Sequence, residues 1–343
     1  MTLPALTLLL ALASAPTQAN DTAIGGSGAG VYPVETTSVR LVRELVVFQE
    51  QGDSFAVTAD LHFRNDTDTP ATLKLGFPAR MMTMGDGDPQ VHDLAVWVDG
   101  QPVTTHRVAV RPEEALQDWW EEVFVFEASF PAHADVQILH TYSLTTGMDS
   151  MGGRLTQYIF QTGKGWAGKV GQARFVFRFE RPPMGLQLHY GDSALPPLGT
   201  PPVPGKPRQS YVAGPTPTYD LLFEDVEPSG DLQLHWDGQP WYELVVATVD
   251  EDRQYECQQT LQGWYRGLSG APWASNPLPE PELLACFEPA WLRNLIFAAR
   301  GYGFSTPQWQ RTFAGRFPPS ELPYEDAWLT EQERLAVEAL KGM

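Results

Sequence analysis

The chain has 343 residues and a net charge of −19. It is long enough for two cores, and its charge repels phosphate backbones and anionic membrane surfaces, which argues against nucleic acid and acidic lipid as partners. Glycine and proline each occur 30 times, and helical periodicity is scarce before the last third, so the composition predicts many short strands joined by turns.

Residues 1–19 read as a secretory signal peptide. Leu3 to Ala15 is an apolar run too short to span a bilayer, and Thr17-Gln18-Ala19 supplies small residues at a cleavage point. No later stretch is apolar enough to cross a membrane, which predicts an exported, soluble protein, periplasmic or extracellular. The glycine-dense stretch Gly25 to Gly30 lacks the flanking strand and helix of a phosphate loop and reads as part of a flexible leader from Asn20 to Tyr32.

From Val39 the pattern alternates. In Asp53–Arg64 the residues Phe55, Val57, Ala59, Leu61 and Phe63 interleave with Thr58, Asp60 and His62, the signature of a strand with one buried face. Similar strands are predicted over Val39–Gln49, Val91–Val98, Val103–Val110, Val123–Phe130, Asp135–Thr145, Gln157–Gln161, Arg174–Glu180, Tyr219–Val226, Asp231–Trp236 and Glu243–Val249. Asp99-Gly100 marks a hairpin, with Gln101-Pro102 lengthening its loop. These strands predict an antiparallel β-sandwich body over 20–250. The proline-rich stretch 195–217 reads as an extended surface loop.

Residues 251–282 read as a linker, with a helix over Arg253–Gly267. A small all-α domain follows over 283–343. Trp291, Leu292, Leu295, Ile296 and Ala299 form an apolar helical stripe, with Arg293, Asn294 and Arg300 off or beside it. Gly301 stands where a left-handed residue ends a helix. Pro307 opens the next helix. Thr330 with Glu333 forms a capping box, and Leu335 and Leu340 are expected to pack on the preceding helices.

Two resemblances follow from particular residues. Arg293-Asn294-x-Ile296-Phe297-Ala298-Ala299-Arg300-Gly301-Tyr302-x-Phe304, then Phe313 and Leu329-Thr330-x-x-Glu333, resembles the YARHG domain of bacterial exported proteins. Phe297 stands for its Tyr, Ala299 for its Arg and Arg300 for its His, and Arg316-Phe317 stands for its Trp-Tyr pair. Upstream, Arg43-Glu44-Leu45, Phe130-Pro131-Ala132, Val136-x-Ile138-x-His140-x-Tyr142 and Tyr158-x-x-x-Thr162-Gly163-x-x-Trp166-x-Gly168 resemble an uncharacterised bacterial exported domain over 20–240. Neither resemblance implies a reaction.

The candidate contacts are Arg293, Arg300 and Tyr302, read as exposed on the helical module, and Trp309, which with Phe304 and Phe313 is expected to fold back onto the first helix. A second cluster, Glu113, Glu114, Asp118, Trp119, Trp120, Glu121 and Glu122, pairs carboxylates with rings as sugar chemistry requires. It reads equally as a helix N-terminus whose tryptophans fill the sheet rim. Cys257 and Cys286 either form a disulfide closing a loop of about 30 residues or stay as separate buried thiols. His62, His140 and His235 read as structural, and Asp66-x-Asp68 and Asp86-x-Asp88 as turns. No metal or cofactor is expected. The resulting reading is a non-enzymatic envelope protein that binds a cell-wall polymer or an envelope protein. Its rivals are a carbohydrate-active enzyme using the Glu113–Glu122 cluster and an assembly protein pairing through its β body.

Overall fold

The structure, a computed structural model, describes residues 22–25, 32–33, 38–81, 91–109, 120–149, 152–160, 163, 165–201, 206–268 and 277–343. In chain order its strands are β1 (Thr22–Gly25), β2 (Tyr32–Pro33), β3 (Val39–Gln51), β4 (Ser54–Asn65), β5 (Ala71–Met81), β6 (Val91–Val98), β7 (Gln101–Val103), β8 (His106–Ala109) and β9 (Trp120–Phe130). Then come β10 (Asp135–Thr145), β11 (Gly147–Met148), β12 (Gly153–Tyr158), β13 (Val170–Arg178), β14 (Gln187–Tyr190), β15 (Ser193–Ala194), β16 (Arg208–Val212), β17 (Thr218–Val226) and β18 (Leu232–Asp237). The helices are α1 (Gln239–Val246), α2 (Gln254–Gly267), α3 (Pro281–Cys286), α4 (Pro289–Ala299), α5 (Pro307–Phe313) and α6 (Glu331–Lys341).

The body is a β-sandwich. One layer is an eight-stranded sheet in the order β16-β17-β13-β3-β4-β10-β6-β7. Two five-stranded sheets, β2-β1-β5-β9-β8 and β11-β12-β18-β14-β15, share the other layer. The alternation in β4 sets this up, because Phe55, Val57, Ala59, Leu61 and Phe63 are all buried on one face. Phe77 of β5 meets Tyr142 of β10 at 5.1 Å between ring centroids, and Phe63 of β4 meets Phe130 of β9 at 5.7 Å. Over the other half of the sheet, Phe48 of β3 meets Tyr158 of β12 at 5.9 Å, and Phe55 meets Trp236 of β18 at 5.9 Å. Each such ring contributes about 1.5–3 kcal/mol by burial, and a one-residue slip would turn the whole set to solvent, which fixes the register.

Several expectations change. β13 runs parallel to β3, whereas the other pairings in that sheet are antiparallel. The hairpin after β6 has a two-residue turn: Val98 pairs directly with Gln101, and Asp99 and Gly100 both take positive φ, 48° and 74°. The chain then changes layers at Thr104 and Thr105, so Val103–Val110 is two strands in two sheets. The expected flexible leader includes β1, which pairs with β5. Within the proline-rich stretch, β16 forms an edge strand, where proline neighbours are tolerated.

The predicted strand Glu243–Val249 is instead mostly helix α1. Asp237 and Gly238 both take positive φ, 62° and 67°, and turn the chain sharply out of β18. Pro240 then lies in the first turn, and Trp241, Leu244 and Val245 form a buried stripe. That stripe joins Leu261 and Tyr265 of α2, Leu292, Leu295 and Ile296 of α4, Phe313 of α5, and Val337 and Leu340 of α6 in one helical core. The helical unit thus takes in α1 and α2 as well as 283–343. Cys257 of α2 and Cys286 of α3 form a disulfide, with Cα atoms 5.7 Å apart. Leu340 packs in this core as expected, whereas Leu335 points outward at 49% exposure.

The two units interlock. Met184 of the body packs in the helical core, and Trp328 of the helical unit packs in the β core. The Gly185 N–H donates to the Arg316 carbonyl at 2.8 Å, and the Glu321 N–H donates to the Tyr211 carbonyl at 2.8 Å. No helix among the described residues is long and apolar enough to cross a membrane.

Candidate functional site

The end of α4 shapes a surface cleft lined by aromatic and proline side chains. Gly301 takes φ 80°, which a Cβ would disfavour. Its N–H donates to the Ala298 carbonyl and the next N–H, from Tyr302, to the Phe297 carbonyl, both at 3.0 Å. This pair of bonds is a Schellman motif, and its usual apolar contact is present: the Phe297 and Tyr302 rings lie 5.7 Å apart. The motif throws Tyr302 outward at 45% exposure, with Phe304 at 5.1 Å and Tyr324 at 5.3 Å. Beside it opens a cleft of about 360 Å³, walled by Ala298, Tyr302, Phe313, Phe317 and the strap 318–323. Trp309 lies half-buried outside the cleft, stacked on Phe313 at 6.2 Å, and Arg293 lies half-buried on α4.

Arg300 does not belong to this surface. It was expected to be exposed, yet its exposure is 0%. Its Nε donates to both oxygens of Glu333 at 3.1 Å, and its Nη1 donates to the Gly214 carbonyl of the body at 2.6 Å. Glu333 also accepts from the Thr330 N–H at 2.8 Å, while Thr330 Oγ1 accepts from the Glu333 N–H at 3.0 Å, completing the capping box. Burial pushes the Glu333 carboxyl up, against the pull of Arg300 and the Thr330 donors. The residue in the His position of the YARHG pattern therefore joins α4, α6 and the body.

A second buried charge cluster lies where the sandwich meets α2. Arg154 Nη1 donates to Glu50 at 2.5 Å, and Arg181 Nη2 to Asp237 at 2.6 Å. The Arg181 guanidinium lies over the Tyr265 ring at 5.5 Å. Glu50 also accepts from the Glu180 N–H at 2.9 Å. Burial pushes Glu50 up most, with Arg181 and Arg154 opposing. Glu180 is raised first by burial and then by the neighbouring Glu50 charge. The arrangement ties strand ends together rather than presenting a nucleophile or a base to solvent.

Of the acid–tryptophan cluster, Glu113, Glu114, Asp118 and Trp119 lie outside the described residues, and Trp120, Glu121 and Glu122 open β9. The Glu122 side chain is 41% exposed and sits 3.6 Å from Arg107. His62 bonds Asp60 and Arg43 on the outer sheet face. His140 is buried beside Phe77 and Phe126. His235 is half-buried and its pKa is lowered, first by burial and then by His189, 5.6 Å away. Asp66 pairs with Arg64 and Arg40 in a bend, and Asp86 and Asp88 lie outside the described residues. Among the described residues no group of three or more His, Cys, Asp or Glu is placed to hold a metal.

No curated protein matches the chain in sequence. Among solved structures, a candidate nutrient binding protein from Legionella pneumophila aligns at 22% identity and a TM-score of 0.49, over 94% of this chain and 99% of its own. An M1 zinc metallopeptidase from Deinococcus radiodurans aligns at 12% identity and a TM-score of 0.30, over 59% of this chain and 44% of its own. Leukotriene A4 hydrolase from Saccharomyces cerevisiae aligns at 6% identity and a TM-score of 0.31, over 69% of this chain and 37% of its own. The chain thus spans less than half the length of either enzyme. Residues 19–119 match a domain of unknown function (DUF4424), a shorter span than the resemblance read over 20–240. Residues 277–343, at the C-terminus, match the YARHG domain, as the residues around α4 predict.

Proposed function

We propose that the protein is an exported, non-enzymatic binding protein whose helical unit holds an uncharged glycan strand of the cell wall in the cleft beside Tyr302. The observation that carries this reading is the cleft lining. Among the described residues it combines aromatic and proline faces with one carboxylate, Glu321, and includes no Lys or Arg. Such a surface suits the apolar faces of sugar rings and offers nothing to a polyanion, in keeping with the net charge of −19. Export is supported by the disulfide, which fits an oxidising compartment, and by the YARHG match. Pairing through the β body is the weaker reading, because the edge strands β7, β8 and β16 have only three, four and five residues.

The test is co-sedimentation of the intact chain with purified cell-wall sacculi. Truncation would cut the interlocked cores, so point variants serve better. Wild type is expected in the pellet, and Tyr302→Ala, at an exposed position, is expected to lose about tenfold or more in affinity, as for an aromatic anchor. Wild type remaining in the supernatant, or Tyr302→Ala pelleting equally, would overturn the proposal.

A further inference from the structure

Described residues of the proline-rich stretch after β15 border a pocket of about 420 Å³ on the outer face of the eight-stranded sheet. Pro196 to Pro201, Lys206 and Pro207 make one wall, and residues of β13, β16 and β17 make the floor. Glu321, from the strap before α6, completes the lining. The volume is within the range of small-molecule sites, and the proline wall is rigid and carries no N–H donors at its ring nitrogens.

The charges of this pocket divide into satisfied and unsatisfied groups. Arg174 Nε holds both oxygens of Asp220, at 3.0 and 2.9 Å, so that pair neutralises itself. Arg208 pairs with Glu224 at 3.4 Å. Among the described residues, the Lys206 ammonium and the Glu321 carboxylate have no ion pair, although they are opposite charges lining one pocket. The Glu321 N–H donates to the Tyr211 carbonyl, which anchors the strap backbone beside the pocket. The Gln172 amide and the Ser210 hydroxyl also line the pocket with no side-chain hydrogen bond among the described residues. By contrast, the Gln209 amide is committed: its Nε2 donates to the Pro196 carbonyl at 3.2 Å and its Oε1 accepts from Tyr219.

We propose that this pocket binds a small zwitterion of amino-acid or dipeptide size, with its carboxylate on Lys206 and its ammonium on Glu321. Among the described residues, one cation and one anion without ion pairs line this pocket, and together they complement a molecule that carries both charges. A phosphate would meet Glu321 unfavourably, and a neutral sugar carries no charge to set against Lys206, which lines this pocket and not the cleft beside Tyr302. Gln172 and Ser210 supply hydrogen bonds for the peptide or side-chain groups in between.

The test is calorimetric titration of the intact chain with L-alanyl-L-alanine and with the common amino acids singly, against N-acetyl-alanyl-alanine amide and glucose. At least one zwitterion is expected to bind with a Kd at or below about 1 mM. Lys206→Gln and Glu321→Gln are each expected to weaken it roughly ten- to a hundredfold, the scale of a lost charge-assisted bond. Both residues are exposed, so the variants should fold. Absence of any zwitterion binding, equal binding of the doubly blocked dipeptide, or indifference to both substitutions would overturn the proposal. Glu321 lines both pockets, but Tyr302 lines only the cleft and Lys206 only this pocket, and the sacculus assay reads a different ligand, so the two proposals fail separately.

Discussion

Arg300→Met offers the sharpest test of how the helical unit is joined to the body. The substitution removes three contacts with Glu333 and the bond to the Gly214 carbonyl. Glu333, 1% exposed, would keep only the local Thr330 donors among the described residues to stabilise its charge. Removing one partner of a buried pair costs about 3–5 kcal/mol, because the other charge is left unpaired in a poor solvent for it. That is a large share of a typical stability of about 5–15 kcal/mol. The double variant Arg300→Met with Glu333→Leu removes both charges. It should lose only the capping box, about 1 kcal/mol, and the partner of Gly214, so it should be more stable than Arg300→Met alone. The assay is urea unfolding at neutral pH followed by tryptophan fluorescence, with the disulfide intact. The Arg300→Met deficit should shrink as pH falls, since protonation relieves the stranded carboxylate. A cost below about 1 kcal/mol, the scale of a surface pair, or single costs that simply add, would refute the reasoning.

Replacing Cys257 and Cys286 together by Ala should cost roughly 3–4 kcal/mol, from a separation of 29 residues, read as a lower urea midpoint; an unchanged midpoint would exclude a stabilising bridge. Gly238→Ala places a Cβ 2.6 Å from the Gly153 Cα at a φ of 67°, and should cost about 2 kcal/mol or more by the same assay. Gly263→Ala, inside α2 with open space around its Cβ, should instead stabilise by about 0.5–1 kcal/mol. Glu180 sits above its ordinary carboxyl value of 4.5, so in the window just above 4.5 the folded state holds a proton that the unfolded state releases. Its contribution to stability therefore grows as pH falls through that window. The stability difference between wild type and Glu180→Gln should rise on acidification from neutral pH, and a difference that falls would contradict the raised value.

Periodicity made the sandwich legible, because β4 and β10 each bury alternate residues along their whole length. It could not show which strands share a sheet. The parallel pairing of Phe175 with Val46 joins residues far apart in sequence, and no local pattern encodes it. The α1 segment failed for a different reason. Val245, Val246, Thr248 and Val249 are β-branched and favour a strand locally, but the positive φ of Asp237 and Gly238 and the early Pro240 start a helix. Tertiary burial of Trp241, Leu244 and Val245 then outweighs the propensity.

The burial of Arg300 was within reach of the sequence. Leu292, Ile296 and Arg300 are spaced by four, so Arg300 continues a row of the stripe that α4 buries. Glu333 likewise shares a face with Val337, four residues on, and Leu340, three further on, in α6, whose buried residues are Glu333, Ala336, Val337 and Leu340. Two opposite charges on core-facing rows of neighbouring helices have a strong reason to find each other, since neither can be buried alone. Placed beside the stripe, Arg300 was expected to be exposed; its helical row instead accounts for the weld. The same geometry says where contacts belong. Tyr302 comes after Gly301 has ended the row, and its exposure follows from that break. Lys206 and Glu321 stand on segments with no row at all, and among the described residues neither charge has an ion pair.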